Sequence, residues 1–254
     1  MTDLNGRIAL VTGATSGIGR ATCRRLVSEG WQVAGVGREV QRLTTLQQEL
    51  PGFFPIVMDV TQADAGPRVV GATVERFGAL HGLVNAAGIL EPGSHETTTA
   101  ADWDRAMNVN VRSVFLITQA ALPYLKQATP VGSVVNVSSV SGLRPFPGVL
   151  AYCVSKAAID QLTRCLAIEL ASAGVRVNAV NPGVVQTELH RRGGMTEEAY
   201  AAFLERGKTT HPLGRVGEPE EIAGAICWLL NDEAGWITGA TLPIDGGRHL
   251  TAAR

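Results

Sequence analysis

Three polar residues whose chemistry suits proton transfer lie within an otherwise apolar part of the chain. Ser139 follows the Val-rich run 134–137, which predicts a strand, and Tyr152 and Lys156 are four residues apart in a segment of helical composition. Because residues four apart in a helix share one face, we expect the phenol and the ammonium to lie side by side. With a hydroxyl at a strand end, they can pass a proton to or from a substrate oxygen. A lone pair of this kind is also typical of a solvated helix face.

The composition is that of a globular chain, and it excludes several classes of function. Of the 254 residues, 45% are hydrophobic and 18% are charged, and the net charge is −1 without a basic stripe, so we expect no nucleic-acid partner. No apolar run approaches the roughly 18–20 residues that a membrane helix needs. The start, Met1–Gly6, has no signal-peptide pattern, and the four cysteines are scattered, which together predict a cytoplasmic protein. No His, Cys or Asp cluster has metal-ligand spacing, so we expect no catalytic metal.

Short apolar runs alternate with longer helical patterns along the chain. This alternation predicts an α/β fold with a doubly wound parallel sheet, in three layers, as a single domain over residues 1–254. The predicted strands are Ile8–Thr12, Gln32–Val36, Phe54–Val57, Gly82–Asn85, Ser133–Val137, Arg176–Val180 and Ala240–Ile244. The predicted helices are Ile18–Glu29, Glu39–Glu49, Ala63–Phe77, Ala100–Lys126, Val149–Ala173 and Pro219–Leu230.

The stretch from about residue 184 to residue 213 departs from this alternation. It contains Gly193, Gly194 and a short helical pattern over Thr196–Gly207. A long irregular insertion in a compact domain is typical of a binding loop or a lid, and surface elaboration is the alternative. Its place after the carboxyl end of a strand favours the lid.

A glycine-rich loop, T-G-A-T-S-G-I-G over residues 12–19, follows the first predicted strand and opens the first predicted helix. Gly13 allows a tight turn, Gly17 lets the backbone approach a ligand, and Gly19 lets the helix pack closely on the strand. The free N–H groups and the positive end of the helix dipole then face an anion. The loop therefore predicts a phosphate-binding site.

These motifs, taken together, resemble the classical short-chain dehydrogenase/reductase family over about residues 7–247. The matching motifs, in chain order, are the glycine loop, Asn85-Ala86-Ala87-Gly88, Ser139 followed after twelve residues by Tyr152-x-x-x-Lys156, and Pro182-Gly183. The resemblance implies a seven-stranded Rossmann-type sheet. It also implies a NAD(P)-dependent oxidoreductase that acts on an alcohol or a ketone.

The resemblance assigns roles to particular residues. Ser139 holds the substrate oxygen, Tyr152 exchanges its proton, and Lys156 lowers the pKa of Tyr152 and binds the nicotinamide ribose. Asn110 kinks a helix so that its carbonyl holds a proton-relay water. By residue type, the competing candidates are Ser138 and Asn108. The residues expected to bind the cofactor are Gly13, Ser16, Gly17, Ile18, Gly19, Arg38, Asp59, Val60, Asn85, Ala86, Gly88, Tyr152, Lys156, Pro182, Gly183, Val185 and Thr187.

The end of the second predicted strand bears on the choice of cofactor. An acidic residue there would bind the ribose 2′-hydroxyl of NAD, whereas the chain has Gly37 and then Arg38, whose guanidinium can bind the 2′-phosphate of NADP. We therefore expect NADP(H) to be favoured over NAD(H). Alternatively, Arg38 stacks on adenine or lies in solvent. Glu39 can partly neutralise it, and Ser16 stands where some family members place a basic residue.

The predicted helix Val149–Ala173 is apolar around most of its circumference, which predicts a homo-oligomer, and the resemblance suggests a tetramer. The expected reaction is hydride transfer between NADP(H) and a small-molecule ketone or secondary alcohol, with a 3-oxoacyl-carrier-protein reductase among the subclasses. The alternatives are an NAD-preferring alcohol or hydroxysteroid dehydrogenase and a non-catalytic NAD(P)-sensing or scaffolding protein. Arg144, Arg191 and Arg192 can face an acidic substrate group, although solvation is the simpler interpretation.

Overall fold

Seven parallel strands form one sheet in the computed structural model, which describes residues 6–130 and 132–251. The prediction made from Met1–Asn5 lies outside the described residues. The strand order is β3-β2-β1-β4-β5-β6-β7, and every neighbouring pair is parallel. The strands are β1 (Ile8–Thr12), β2 (Gln32–Gly37), β3 (Phe53–Val57), β4 (Gly82–Asn85), β5 (Ser133–Val137), β6 (Arg176–Pro182) and β7 (Thr241–Ile244).

Helices cover both faces of the sheet, as the predicted doubly wound fold requires. The helices are α1 (Gly17–Ser28), α2 (Val40–Glu49), α3 (Ala65–Phe77), α4 (Ala100–Met107), α5 (Ser113–Leu125), α6 (Val140–Leu143), α7 (Leu150–Leu170), α8 (Leu189–Arg192), α9 (Glu197–Thr210) and α10 (Pro219–Leu230). Successive residues of a strand point to opposite faces, and β1 accordingly supplies Ala9 and Val11 to one core and Ile8 and Leu10 to the other. The first core is completed by α1, α2 and α10, and the second by α3, α5 and α7.

The long helix predicted over Ala100–Lys126 is not continuous, because a π-helical turn at Asn108–Arg112 separates α4 from α5. The backbone N–H of Ser113 bonds to the carbonyl of Asn108, five residues earlier, which marks the wide turn. The sequence pattern gave no sign of this turn. Single π turns inside α-helices are frequent at functional sites.

The remaining differences from the predicted elements are small. β2 and β6 extend to Gly37 and Pro182, and the lid-segment helix ends at Thr210 rather than Gly207. The helices α6 and α8 have four residues each, too few to produce a helical period in the sequence. Among the described residues, no helix is long and apolar enough to cross a membrane.

The amino end of β6 is tied to the end of α10 by a buried arginine. The guanidinium of Arg176 donates to the carbonyls of Leu229, Leu230 and Asn231, at distances of 2.7, 3.2 and 3.1 Å. The last carbonyls of a helix have no partner within it, and here Arg176 supplies them with donors, together with Ser133 Oγ for Leu229 and the backbone N–H of Ala234 for Asn231. Arg7, which directly precedes β1, makes a bidentate ion pair with Asp232, just beyond the end of α10.

Candidate active site

The predicted catalytic residues meet at the carboxyl ends of β4, β5 and β6, the edge at which open α/β sheets bind ligands. Ser139 follows β5 directly and caps α6, accepting a hydrogen bond from the backbone N–H of Ser141 at 3.1 Å. Tyr152 and Lys156 lie on the first two turns of α7 and are 7% and 5% exposed. The Lys156 ammonium is 5.6 Å from the centre of the Tyr152 ring. The structure therefore brings all three side chains together in a buried setting.

The Lys156 ammonium is held by the sheet. Its Nζ atom donates to the carbonyl of Val137 at 2.8 Å, at the last residue of β5. A Cβ added to Gly88 would lie 3.6 Å from the same Nζ, so the loop after β4 passes directly over the ammonium. The sequence pattern required that Lys156 share a face with Tyr152, but it did not indicate this anchor.

Burial determines the protonation of the tyrosine and the lysine. Burial raises the pKa of Tyr152 to about 12, although a hydrogen bond with Ser139 acts to lower it. Burial also lowers the pKa of Lys156 to about 8, against the opposing charge of Asp160. The expectation that the ammonium brings the pKa of Tyr152 down is therefore wrong, because the loss of water around the phenol outweighs the lowering effect of Ser139. At neutral pH the phenol keeps its proton.

Asn110 lies in the π-helical turn and is 1% exposed. Its amide oxygen accepts from the N–H of Ile89 at 2.9 Å, and its amide nitrogen donates to the Ile89 carbonyl at 3.0 Å and to Ser155 Oγ at 2.9 Å. The side chain thereby joins the loop after β4 to α7. Asn108 is exposed on the outer side of the same turn. The geometry favours Asn110 over Asn108 for a place in the site.

The two serines at the end of β5 have different surroundings. The hydroxyl of Ser138 donates to the carbonyl of Lys156 at 3.1 Å, so it bonds to the backbone of α7. Ser139, by contrast, hydrogen-bonds with the Tyr152 phenol. The structure thus places Ser139 beside the reactive phenol, as the twelve-residue spacing predicts.

The glycine loop has the close approaches that the sequence predicts. Gly13 has a φ of +69°, and a Cβ there would come within 2.8 Å of the backbone of Ala86 and Ala87. A Cβ on Gly19 would overlap the carbonyl of Gly13. The first turn of α1 contains no acidic residue, and its N-cap residue Ser16 makes no side-chain capping bond. Free N–H groups at the positive end of a helix fit the phosphates of a dinucleotide.

The other predicted cofactor contacts lie around this loop, and one of them, Asn85, also has a structural role. A Cβ on Gly17 would lie 3.0 Å from Thr187 Cγ2, so the segment after β6 contacts the loop. The amide nitrogen of Asn85 donates to Thr118 Oγ1 at 3.2 Å and to Asn136 Oδ1 at 2.9 Å, inside the sheet. Its side chain therefore braces the sheet centre. Ile18 lies in the first turn of α1, and the remaining predicted contacts lie at strand ends or in adjoining loops: Asp59, Val60, Ala86, Gly88, Pro182, Gly183 and Val185.

At the end of β2, Arg38 is exposed and the backbone at Gly37 is packed against Thr15. The Arg38 side chain is 71% exposed, and its nearest acidic partner is Asp59 Oδ2 at 4.0 Å. Asp59 is turned toward Thr61, whose backbone N–H lowers the pKa of the carboxyl. A Cβ on Gly37 would overlap Thr15 Cγ2, so an acidic side chain there would have to displace Thr15.

An arginine outside the glycine loop reaches it from the segment after β6. Arg192, on α8, has Nη1 at 3.2 Å from Ser16 Oγ and Nη2 at 2.8 Å from Glu39 Oε1. Arg42 of α2 bonds Glu188 at 2.7 Å, just before α8. The sequence suggested a solvated Arg192 or one that faces an acidic substrate group, and it did not indicate this contact, since 176 positions separate Arg192 from Ser16.

The other polar residues singled out in the sequence have partners of their own. Arg144 donates to the carbonyls of Arg248 and Thr251, and Arg191 lies 4.0 Å above the Tyr200 ring. His211 accepts from the backbone N–H of Val184 at 3.2 Å and so supports the segment after β6. Within the described ranges, no group of three or more His, Cys, Asp or Glu residues could hold a metal ion.

Known proteins similar to this chain include two reductases and a solved structure. A family model described as enoyl-(acyl carrier protein) reductase matches residues 13–249. The 3-oxoacyl-(acyl-carrier-protein) reductase of Thermotoga maritima is 41% identical over 249 residues, which cover 96% of this chain and 98% of that protein. The L-xylulose reductase of Caenorhabditis elegans is 38% identical over 249 residues, 96% of each chain. A Caenorhabditis elegans short-chain dehydrogenase/reductase of unknown function, crystallised with cofactor, has a TM-score of 0.91 and 32% identity, covering 98% of this chain and 97% of that one.

These matches extend over nearly the whole chain, and they agree with the seven-stranded parallel sheet and with the residues gathered at its carboxyl edge. The chain is an oxidoreductase that transfers a hydride between a nicotinamide cofactor and a carbonyl or alcohol carbon. It belongs to the classical short-chain dehydrogenase/reductase family.

Proposed function

We propose that this protein is an NADP(H)-dependent ketoreductase in which Ser139, Tyr152 and Lys156 are the catalytic side chains and Asn110 supports them. The observation that carries the proposal is the buried contact between Ser139, a protonated Tyr152 and Lys156. A phenol that keeps its proton at neutral pH is a proton donor, and reduction of a ketone requires one. Two of the relatives, the 3-oxoacyl-(acyl-carrier-protein) reductase and the L-xylulose reductase, also support carbonyl reduction as the direction of the reaction.

Each side chain has a defined task in this mechanism. The nicotinamide cofactor, when bound, supplies the hydride that adds to the carbonyl carbon. Ser139 orients the substrate oxygen beside Tyr152, whose phenolic proton passes to that oxygen as negative charge develops on it. The Lys156 ammonium, held by the Val137 carbonyl, stabilises the phenolate that remains. Asn110 fixes the loop after β4 against α7, so the two sides of the site stay at a fixed distance from each other.

We propose residues 1–254 as one Rossmann-type domain in which segment 184–213 is the lid over the site. The bonds from Arg192 to Ser16 and Glu39, and from Arg42 to Glu188, support this assignment. They hold α8 against the loop that we expect to bind the cofactor phosphates. Substrate specificity then resides largely in this segment, because it is the irregular wall nearest the reactive edge.

We propose a homo-oligomer, in the form of a tetramer, and a cytoplasmic location. The outward side of α7 exposes Val154 and Ile168, and Ala158 and Leu162 line an apolar groove with residues of α4 and α5. A helix that is apolar beyond its sheet-facing side is typical of a subunit interface. The four free cysteines suit a reducing compartment.

We expect Arg38→Ala to reduce the preference for NADPH over NADH by roughly ten- to a hundredfold, because a charge-assisted bond to the 2′-phosphate contributes about 1.5–3 kcal/mol. The measurement is kcat/KM for both cofactors, together with dissociation constants from nicotinamide fluorescence. The matched control is Arg68→Ala, since Arg68 is exposed on α3 and pairs with Asp64. An unchanged ratio in Arg38→Ala would refute the assignment of Arg38. Gly37 is left unchanged in these variants, because a side chain at this position would overlap Thr15.

A panel of carbonyl compounds tests the function itself. We expect NADPH-dependent reduction of at least one of three classes, namely 3-oxoacyl thioesters, ketoses and simple cyclic ketones, followed by the absorbance of the reduced nicotinamide. Turnover with NADH alone would favour the NAD-preferring dehydrogenase instead. Tight NADPH binding without turnover of any carbonyl or alcohol would favour a cofactor-sensing protein.

A further inference from the structure

A buried carboxylate lies beside the catalytic group and has no part in the mechanism above. Asp160 is 2% exposed and stands on α7 one helical turn beyond Lys156, so both side chains share a face of the helix. Burying a carboxylate is costly unless hydrogen bonds and opposite charges satisfy it. The contacts of Asp160 therefore indicate what it does.

The main contact joins Asp160 to the peptide of Ser139 through a third residue. The amide nitrogen of Asn181, in β6, lies 3.0 Å from each carboxylate oxygen and 3.0 Å from the carbonyl of Ser139. Ser138, whose hydroxyl donates to the Lys156 carbonyl, lies close enough to the same carboxylate to lower its pKa. Three elements, β5, β6 and α7, are thus joined at one carboxylate directly behind the catalytic serine.

The chain leaves room for this carboxylate by placing a glycine opposite it. A Cβ on Gly142, in α6, would overlap Asp160 Oδ2 and lie 2.9 Å from the carbonyl of Lys156. The backbone of α6 therefore packs directly over the carboxylate and the turn that contains Lys156. This packing keeps water away and strengthens the electrostatic interaction of the two side chains.

The charges around the carboxylate come from its own helix. Lys156 and Arg164 act on Asp160, while the side chains that face it from β5 and β6, Ser138 and Asn181, are uncharged. Asp160 in turn favours the charged form of Lys156, opposing the effect of burial. Tyr152 is the other titratable group beside the ammonium, and it is neutral at working pH. Burial raises the pKa of Asp160, while Asn181 and Lys156 act to lower it, and among the described residues Asp160 is the acidic group that acts on the catalytic lysine.

We propose that Asp160 is a positioning residue that holds the Ser139 peptide through Asn181 and keeps Lys156 in its ammonium form. Its effect on turnover rests on the proposed ketoreductase function. Its effect on the titration of Lys156 does not, so the two ideas can fail separately.

The lysine content of the chain allows a direct test. There are three lysines, Lys126, Lys156 and Lys208, so carbon-13 labelling of lysine gives three side-chain signals to follow by NMR against pH. We expect the titration midpoint of Lys156 to fall by about half a pH unit or more in Asp160→Asn, because a favourable charge is lost. The other two lysines should not move, and Asp64→Asn, at an exposed aspartate, should leave all three unchanged. A Lys156 midpoint that stays in place in Asp160→Asn would overturn the proposal.

A second measurement decides the matter if Asp160→Asn does not fold. Coupling between two sites is reciprocal, so removing the ammonium in Lys156→Met should raise the titration midpoint of Asp160, followed through carbon-13-labelled aspartate carboxyls. A midpoint of Asp160 that is equal in wild type and Lys156→Met would contradict the coupling.

The pH profile of turnover provides the functional readout. Reduction requires the ammonium, so kcat should fall as pH rises through the pKa of Lys156, about 8 in the wild type. In Asp160→Asn this alkaline limb should move to lower pH, while the dissociation constant of NADPH at pH 6 stays within about twofold. If the alkaline limb of the pH profile stays at the same pH in Asp160→Asn, the role of Asp160 in turnover is overturned. If the wild type reduces no carbonyl, the ketoreductase proposal fails and the lysine titration still decides the effect of Asp160.

Discussion

Tyr152→Phe is expected to lower kcat by about 10²–10⁴ in a protein that still binds cofactor. The substitution removes the phenolic proton and nothing else of comparable size, since the ring stays packed in the same buried position. Ser139 and Lys156 can still orient the substrate, but neither is placed to replace the lost donor, because Ser139 caps α6 and Lys156 Nζ is held by Val137. The loss should appear in kcat rather than in the dissociation constant of NADPH.

The matched control for this experiment is Tyr124→Phe. The chain has three tyrosines, and Tyr124 packs at the edge of the second core, on α5 and away from the site. It tests whether the loss of a tyrosine hydroxyl by itself disturbs the protein. Steady-state kinetics and fluorescence titration with NADPH are needed for both variants. Retention of full activity in Tyr152→Phe would disprove the mechanism.

Arg176→Met is expected to reduce the free energy of unfolding by about 1–3 kcal/mol, because it leaves the buried carbonyl of Leu230 without its donor. Arg176 is 7% exposed and also donates to the carbonyls of Leu229 and Asn231, which keep second donors in Ser133 Oγ and the backbone N–H of Ala234. Methionine preserves much of the apolar stem, so the effect isolates the guanidinium. Urea unfolding followed by circular dichroism gives the free energy directly.

Arg24→Met is the control for this stability experiment. Arg24 forms an exposed ion pair with Glu49 at 2.7 Å, and such pairs contribute at most about 1 kcal/mol. We expect its urea midpoint to stay close to that of the wild type. Equal midpoints for Arg176→Met and Arg24→Met would mean that water or backbone movement replaces the buried donors.

The strands were predictable because their signal is local. β1, β4 and β5 begin and end at the predicted residues, since a run of buried β-branched side chains bounded by polar or glycine residues leaves few other possibilities. The single long helix at Ala100–Lys126 was wrong at its centre. A π turn adds a single residue to a helix, and the bonds of Asn110 to Ile89 and Ser155 that accompany it join residues far apart in sequence.

The candidate site likewise has features that the sequence predicted and features that it did not. The helical spacing of Tyr152 and Lys156 required them to share a face. The glycine loop required close backbone contacts that an added Cβ would prevent. The direction of the Tyr152 pKa was not predictable, because it depends on how much water the packing of several distant elements removes. The bond from Asn181 to Asp160 and the contact of Arg192 with Ser16 were missed for a related reason, as both join residues that only the fold brings together.

The bonds that hold α8 to the glycine loop have a consequence for the dependence of the enzyme on ionic strength. Arg192 and Glu39 are each 44% exposed, and Arg42 and Glu188 are partly exposed, so dissolved ions screen these pairs. Asp160, Lys156 and Tyr152 are enclosed and largely insensitive to salt. Raising the salt concentration should therefore speed the release of cofactor while the rate of the chemical step changes little. In stopped-flow measurements, the slowest step of the cycle is then expected to depend on the buffer as well as on the substrate.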